Sequence, residues 1–154
     1  MGARRERRLI ENAAPMMQPG ERAELVIGAK VGSVKQAFGR QVALGLATAV
    51  LSGGAMYALS SQPAVYVLLT DRQVLFFEQD HYTGGPGKFH FAVPRQYVAI
   101  TEPQSGFLYK FDFYVQGWHE AMELAVPPLP PSNRRKGAAF ASAFPRVTPV
   151  PARA

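Results

Sequence analysis

The sequence predicts a single, mainly β domain of short antiparallel strands, followed by one C-terminal helix. Three observations carry this reading. From Ala64 onward, apolar residues recur with a period of 2 in short runs separated by Gly, Pro and Asp. The clearest run, Phe107–Val115, sets Phe107, Tyr109, Phe111, Phe113 and Val115 on one face against Leu108, Lys110, Asp112 and Tyr114. Near the C-terminus, Phe140 and Phe144 are spaced to share one face of a short helix with Lys136. At 154 residues and 47% hydrophobic content, the chain is long and apolar enough to build one core.

The elements follow in order. Residues 1–19 form a basic arm: Arg4, Arg5, Arg7 and Arg8 precede Leu9 and Ile10, and a short helix runs toward Ala14 before Pro15 and Pro19-Gly20 stop it. The arm is not a secretory signal, because Glu11 and Asn12 interrupt any apolar run after the charges. The domain proper covers 20–144. Its first strand is Ala23–Val31, after the turn at Pro19-Gly20-Glu21. An Ala/Gly-rich helical insert, residues 33–63, separates it from the second strand. Within the insert, Val42–Leu59 carries no charge and meets the bare length for a membrane span. Its alanines, its few large side chains and the Gly53-Gly54 pair favour a docked helix instead. A single span would also part the first strand from the rest and leave the sheet unable to assemble.

Strands are then expected at Ala64–Thr70 and Gln73–Glu78, joined by Asp71-Arg72 at hairpin spacing. Three more follow at Lys88–Val93, Gln96–Thr101 and Phe107–Val115, and a seventh at Trp118–Val126. Pro127–Pro131 is a stiff spacer, and Ser132 is placed to cap a helix over Asn133–Phe144. Residues 145–154 hold three prolines and no acid and are expected to form a disordered tail.

Composition excludes several classes of function. There is no cysteine, so disulfide scaffolds, thiolate metal centres and thiol catalysis fall away. The net charge of +6 is unevenly placed. Residues 1–40 hold eight basic against four acidic residues, 41–126 four against seven, and 127–154 five against none. Basic ends on an acidic body suit loose contacts with anionic surfaces more than a nucleic-acid-binding fold. Thr83-Gly84-Gly85-Pro86-Gly87-Lys88 fails as a phosphate loop: Tyr82 stands where a Gly is needed and Phe89 where Ser or Thr is needed. It is read as a hairpin loop. His81, His90 and His119 have no ligand spacing, and no nucleophile elbow is present. Asp112, Glu120 and Glu123 read as the solvated face of the last two strands.

Leu69-Thr70-Asp71-Arg72-Gln73-Val74-Leu75-Phe76-Phe77 resembles the T-D-R hairpin of bacterial pleckstrin-homology-like (PH-like) domains. Val93-Pro94-Arg95 is similar to the later L-P-R element of a group of small proteins carrying that hairpin. The resemblance covers roughly residues 20–144. It implies a seven-stranded, partly open barrel of two near-orthogonal antiparallel sheets, plugged by the C-terminal helix. The Ala/Gly-rich insert departs from the pattern.

The resemblance implies a non-enzymatic binding or adaptor module. It would present a surface to a protein partner or to the inner face of a membrane, from a cytoplasmic location. The alternatives are a small enzyme with an unrecognised pocket and an integral membrane protein using residues 42–59. Candidate contacts with an anionic surface are Lys30, Lys35 and Arg40, which bracket the first inter-strand loop, and Arg134, Arg135 and Lys136 on the last helix. The (Lys/Arg)-x-Arg pattern of phosphoinositide-binding PH domains does not follow Lys30. Nucleic acid is disfavoured as a partner, and no cofactor, metal or small-molecule substrate is signalled.

Overall fold

The computed structural model describes residues 3–36, 64–80, 82–118 and 120–148, with backbone alone for 33–36 and 120. The elements are α1 (Ala3–Ala13), β1 (Ala23–Gln36), β2 (Ala64–Thr70), β3 (Gln73–Gln79) and β4 (Pro86–Pro94). They continue with β5 (Val98–Ile100), β6 (Gln104–Ser105), β7 (Tyr109–Val115), β8 (Glu120–Val126) and α2 (Pro131–Ser142). The fold is mainly β, and every pairing within the sheet is antiparallel.

The strands make one sheet in the order β4-β3-β2-β1-β8-β7-β5, with the short β6 added to β7. The ends of this order, β4 and β5, do not pair, so the sheet is not closed. Its continuity depends on β1, which is longer than the expected Ala23–Val31. Residues 23–30 pair with β2, and residues 30–36 pair with β8 with an irregularity between Val31 and Val34. A strand that serves two neighbours in turn needs roughly twice the usual length.

The sheet folds over on itself. β3 and β7 lie four strand spacings apart, about 19 Å if the sheet were flat. Yet the rings of Phe76 on β3 and Phe113 on β7 meet edge to face with centroids 5.4 Å apart. The enclosed core runs from Ile27, Val67 and Phe76 to Phe113, Met122 and Leu124. α2 fills the space between the two flanks as expected. Phe140 packs on Phe111 at 6.0 Å and Phe144 on Phe113 at 6.4 Å. The helix starts two residues before the expected Asn133, and Pro130, not Ser132, occupies the cap position without a side-chain hydrogen bond.

A second apolar cluster lies on the other face of the sheet. Leu9 and Ala13 of α1 pack there with Val26, Tyr66, Leu68, Leu75 and Phe77. The arm is therefore a covering element, with Leu9 and Ala13 fully buried. Its physical cause is visible in β2 and β3, whose residues are buried on both faces over 65–69 and 74–77. A strand apolar on both faces needs cover on both.

Other elements differ from expectation in detail. Gln104–Ser105 pairs with β7 instead of forming only a turn, and Trp118 precedes β8. The first part of the expected disordered tail is ordered against β5, through hydrogen bonds of Ile100 with Pro145 and Val147. Arg40 and Val42–Leu59 lie outside the described residues. Among the described residues, no helix is long and apolar enough to cross a membrane.

Candidate functional site

The residues that carry the family resemblance are used to build the fold. In the β2–β3 turn, Thr70 Oγ1 accepts the N–H groups of Arg72 at 3.0 Å and Gln73 at 2.9 Å. It donates to Glu21 Oε2 at 2.5 Å. Asp71 Oδ1 accepts the Arg22 N–H at 2.9 Å, and Arg72 Nη1 donates to Gln18 Oε1 at 2.6 Å. Gln73 Nε2 donates to Met16 O and to Glu21. The hairpin thus holds the segment between α1 and β1. Burial raises the Glu21 pKa, but hydrogen bonds from Thr70, the Gln18 N–H and Gln73 outweigh this and set it below the ordinary carboxylate value. Arg95 completes the clasp: its Nη1 donates to Thr70 O at 2.9 Å and to Glu24 at 3.0 Å. The two motifs therefore meet each other in space.

The candidate cations sit in different settings. Arg134 is a clamp, donating to Phe107 O at 3.0 Å and Gly106 O at 2.8 Å while its guanidinium lies over Tyr109. Lys136 is ion-paired with Glu6 of α1. Lys30 and Arg135 are exposed. Lys35 pairs with Ala121 through the backbone of β1, and Arg40 lies outside the described residues.

The Lys136–Glu6 pair has a wider effect. It joins α2 to α1, elements from opposite ends of the sequence. Arg4, Arg5, Arg7 and Arg8 of α1 are all exposed, because Leu9 and Ala13 take the buried face. Arg5 and Lys30 line a cavity of about 270 Å³ together with Tyr66, Gln79, Leu129 and Asn133. Arg5 also donates to Thr83 O at 3.0 Å. The structure thus brings Lys30 and Lys136 next to α1, whose arginines the sequence placed in a separate arm.

The remaining chemistry is sparse. The Asp80–Gly85 loop closes on itself: Asp80 Oδ1 accepts the Tyr82 N–H at 2.8 Å and Asp80 N–H donates to Gly85 O at 2.8 Å. It is a hairpin loop leading into β4. Burial pushes the His90 imidazole down, with Glu78 acting against this and Lys88 adding to it. Among the described residues no group of His, Asp and Glu could hold a metal ion. His81 and His119 are outside the described residues.

Asp112 and Glu123 stand directly opposite each other on β7 and β8. With Glu102 and Lys110 they line a cavity of about 510 Å³ next to Arg146. A second cavity of about 460 Å³ is lined by Tyr97, Tyr114, Trp118 and Pro145. Sequence reading did not find either cavity, because both form where the segment after α2 meets β5. Compared with known proteins, the chain matches no family model and no curated protein.

Proposed function

We propose that this protein is a non-enzymatic adaptor of PH-like architecture that docks through its basic α1–α2 side on the anionic inner face of a membrane. The observation that carries the reading is the Glu6–Lys136 pair, which sets α1 and its exposed arginines against α2. The PH-like assignment is supported by the open antiparallel sheet, the shared first strand and the helix inserting Phe140 and Phe144. Arginines held on a packed helix keep a fixed spacing, and each basic residue near an anionic bilayer contributes about 1 kcal/mol.

Sedimentation with lipid vesicles tests this. The protein should pellet with phosphatidylglycerol vesicles, stay in solution with phosphatidylcholine, and be released by salt. Changing Arg4, Arg7 and Arg8 to Glu should weaken binding by at least roughly a hundredfold. A protein that ignores phosphatidylglycerol, or a triple variant that binds unchanged, rules the reading out.

A further inference from the structure

The sheet does not close between β4 and β5, and Trp118 touches both sides of that seam. Its ring packs on Phe91 of β4 with centroids 5.6 Å apart. It also lines the cavity of about 460 Å³ beside Val98 of β5 and the preceding Tyr97. Two backbone bonds fix this corner. Trp118 N–H donates to Val115 O at 3.0 Å, and Gln116 N–H donates to Tyr97 O at 2.9 Å. Tyr114 joins the lining from β7, where it pairs with Ala99. Residues 145–148 remain hydrogen-bonded along β5 and supply Pro145 and Val147 as a further wall.

We infer that this cavity is a binding site for a small, uncharged aromatic molecule bearing a carbonyl oxygen, and that this oxygen accepts the Trp118 indole N–H. The inference goes beyond the adaptor reading and needs neither the membrane face nor a free strand edge. Its first support is the indole itself. Trp118 is 5% exposed, and its Nε1 is buried without a hydrogen-bond partner. Buried donors are nearly always satisfied in folded proteins. The indole nitrogen can only donate, so the missing group is an acceptor.

The lining sets the rest of the ligand's chemistry. It contains no Asp, Glu, Lys, Arg or His, so a charged guest would lose water without gaining a counter-charge. The rings of Tyr97, Tyr114 and Trp118 favour a flat aromatic body. A carbonyl is neutral and accepts without adding a second donor that would itself need a partner. The cavity's volume lies in the range of pockets that hold small organic molecules.

The test uses the full chain and the fluorescent aromatic ketone prodan, with its analogue lacking the ketone, dimethylaminonaphthalene. Titrating protein into a trace of prodan should show one site, with a dissociation constant on the order of a hundred micromolar or tighter. The analogue should bind roughly three- to tenfold more weakly. Trp118→Phe keeps an aromatic ring and removes the N–H. It should weaken prodan by a similar factor and leave the analogue unchanged, because the two losses are one hydrogen bond. Ala99→Phe fills the cavity and should abolish binding of both. Equal affinity of the two probes for the unaltered protein overturns the proposal. Prodan affinity unchanged by either substitution overturns it too, as does no binding at all.

Should Trp118→Phe fail to fold, the unaltered protein decides. Trp118 is the lone tryptophan, so one indole N–H resonance reports the contact directly. It must move downfield as prodan saturates the protein, and a resonance that stays in place overturns the proposal. Vesicle binding is measured without the probes, so the two readings stand or fall separately.

Discussion

The side-chain amide of Asn133 meets the backbone of Gly28 in two hydrogen bonds, each 2.9 Å: the Gly28 N–H donates to Oδ1, and Nδ2 donates to the Gly28 carbonyl. β8 ends at Val126, so β1 has no strand beside Gly28 on that side. One side chain from α2 stands in for the missing rung. Asn133→Ala leaves both backbone groups of Gly28 without their partner, and unfolding by urea should show a loss of about 3 kcal/mol. Glu21 gives a second prediction. Its folded pKa lies below the unfolded one, so its contribution is present above the unfolded pKa and is lost as the pH falls through the folded one. Melting temperature should therefore drop on acidification below about pH 4, and Glu21→Gln should flatten that drop. Neither residue stood out in the sequence. Thr70, Asp71 and Arg72 did, as a motif, but a motif names residues without their partners. Those partners, Gln18, Glu21 and Arg22, lie some fifty positions earlier and become visible only in the fold.

At the scale of elements, short apolar runs bounded by turn residues located β2 and β3 closely. The helix of α1 was also legible, since the Arg-rich run with Leu9 and Ile10 ends at proline. Its docking was not read, although the sequence held the signal. Val65–Leu69 and Val74–Phe77 are continuous apolar runs, and alternation alone would have left one face to water. The length of β1 escaped for a different reason. Gly32 and Ser33 weaken a strand pattern, and the change of partner falls close to them. The importance of α1 is measurable. Leu9→Ala should cost about 3 kcal/mol in unfolding free energy, comparable to a substitution in the main core. An arm that merely trailed from the domain would give no change.

At the scale of the whole molecule, the two flanks of the sheet share one strand and one core. β1 is common to both ladders, and Phe76, Phe113, Phe140 and Phe144 pack across the fold. Heat or urea should therefore give a single transition, with fluorescence of the lone tryptophan and far-ultraviolet circular dichroism changing together. Separate midpoints would mean that the flanks unfold independently. The overall class was readable because strand count and helix placement are local properties. The contact between α1 and α2 and the cavities beside β5 were not, because both arise from pairs far apart in the chain. The shared strand also sets an order of events on the ribosome. Residues 30–36 emerge long before Glu120–Ala125, with which they pair. At cellular synthesis rates of roughly 5–20 residues per second, that stretch waits for several seconds as an unpartnered edge. The nascent protein is thus exposed to intermolecular pairing until almost its last strand is made, and its yield depends on what shields β1 during that interval.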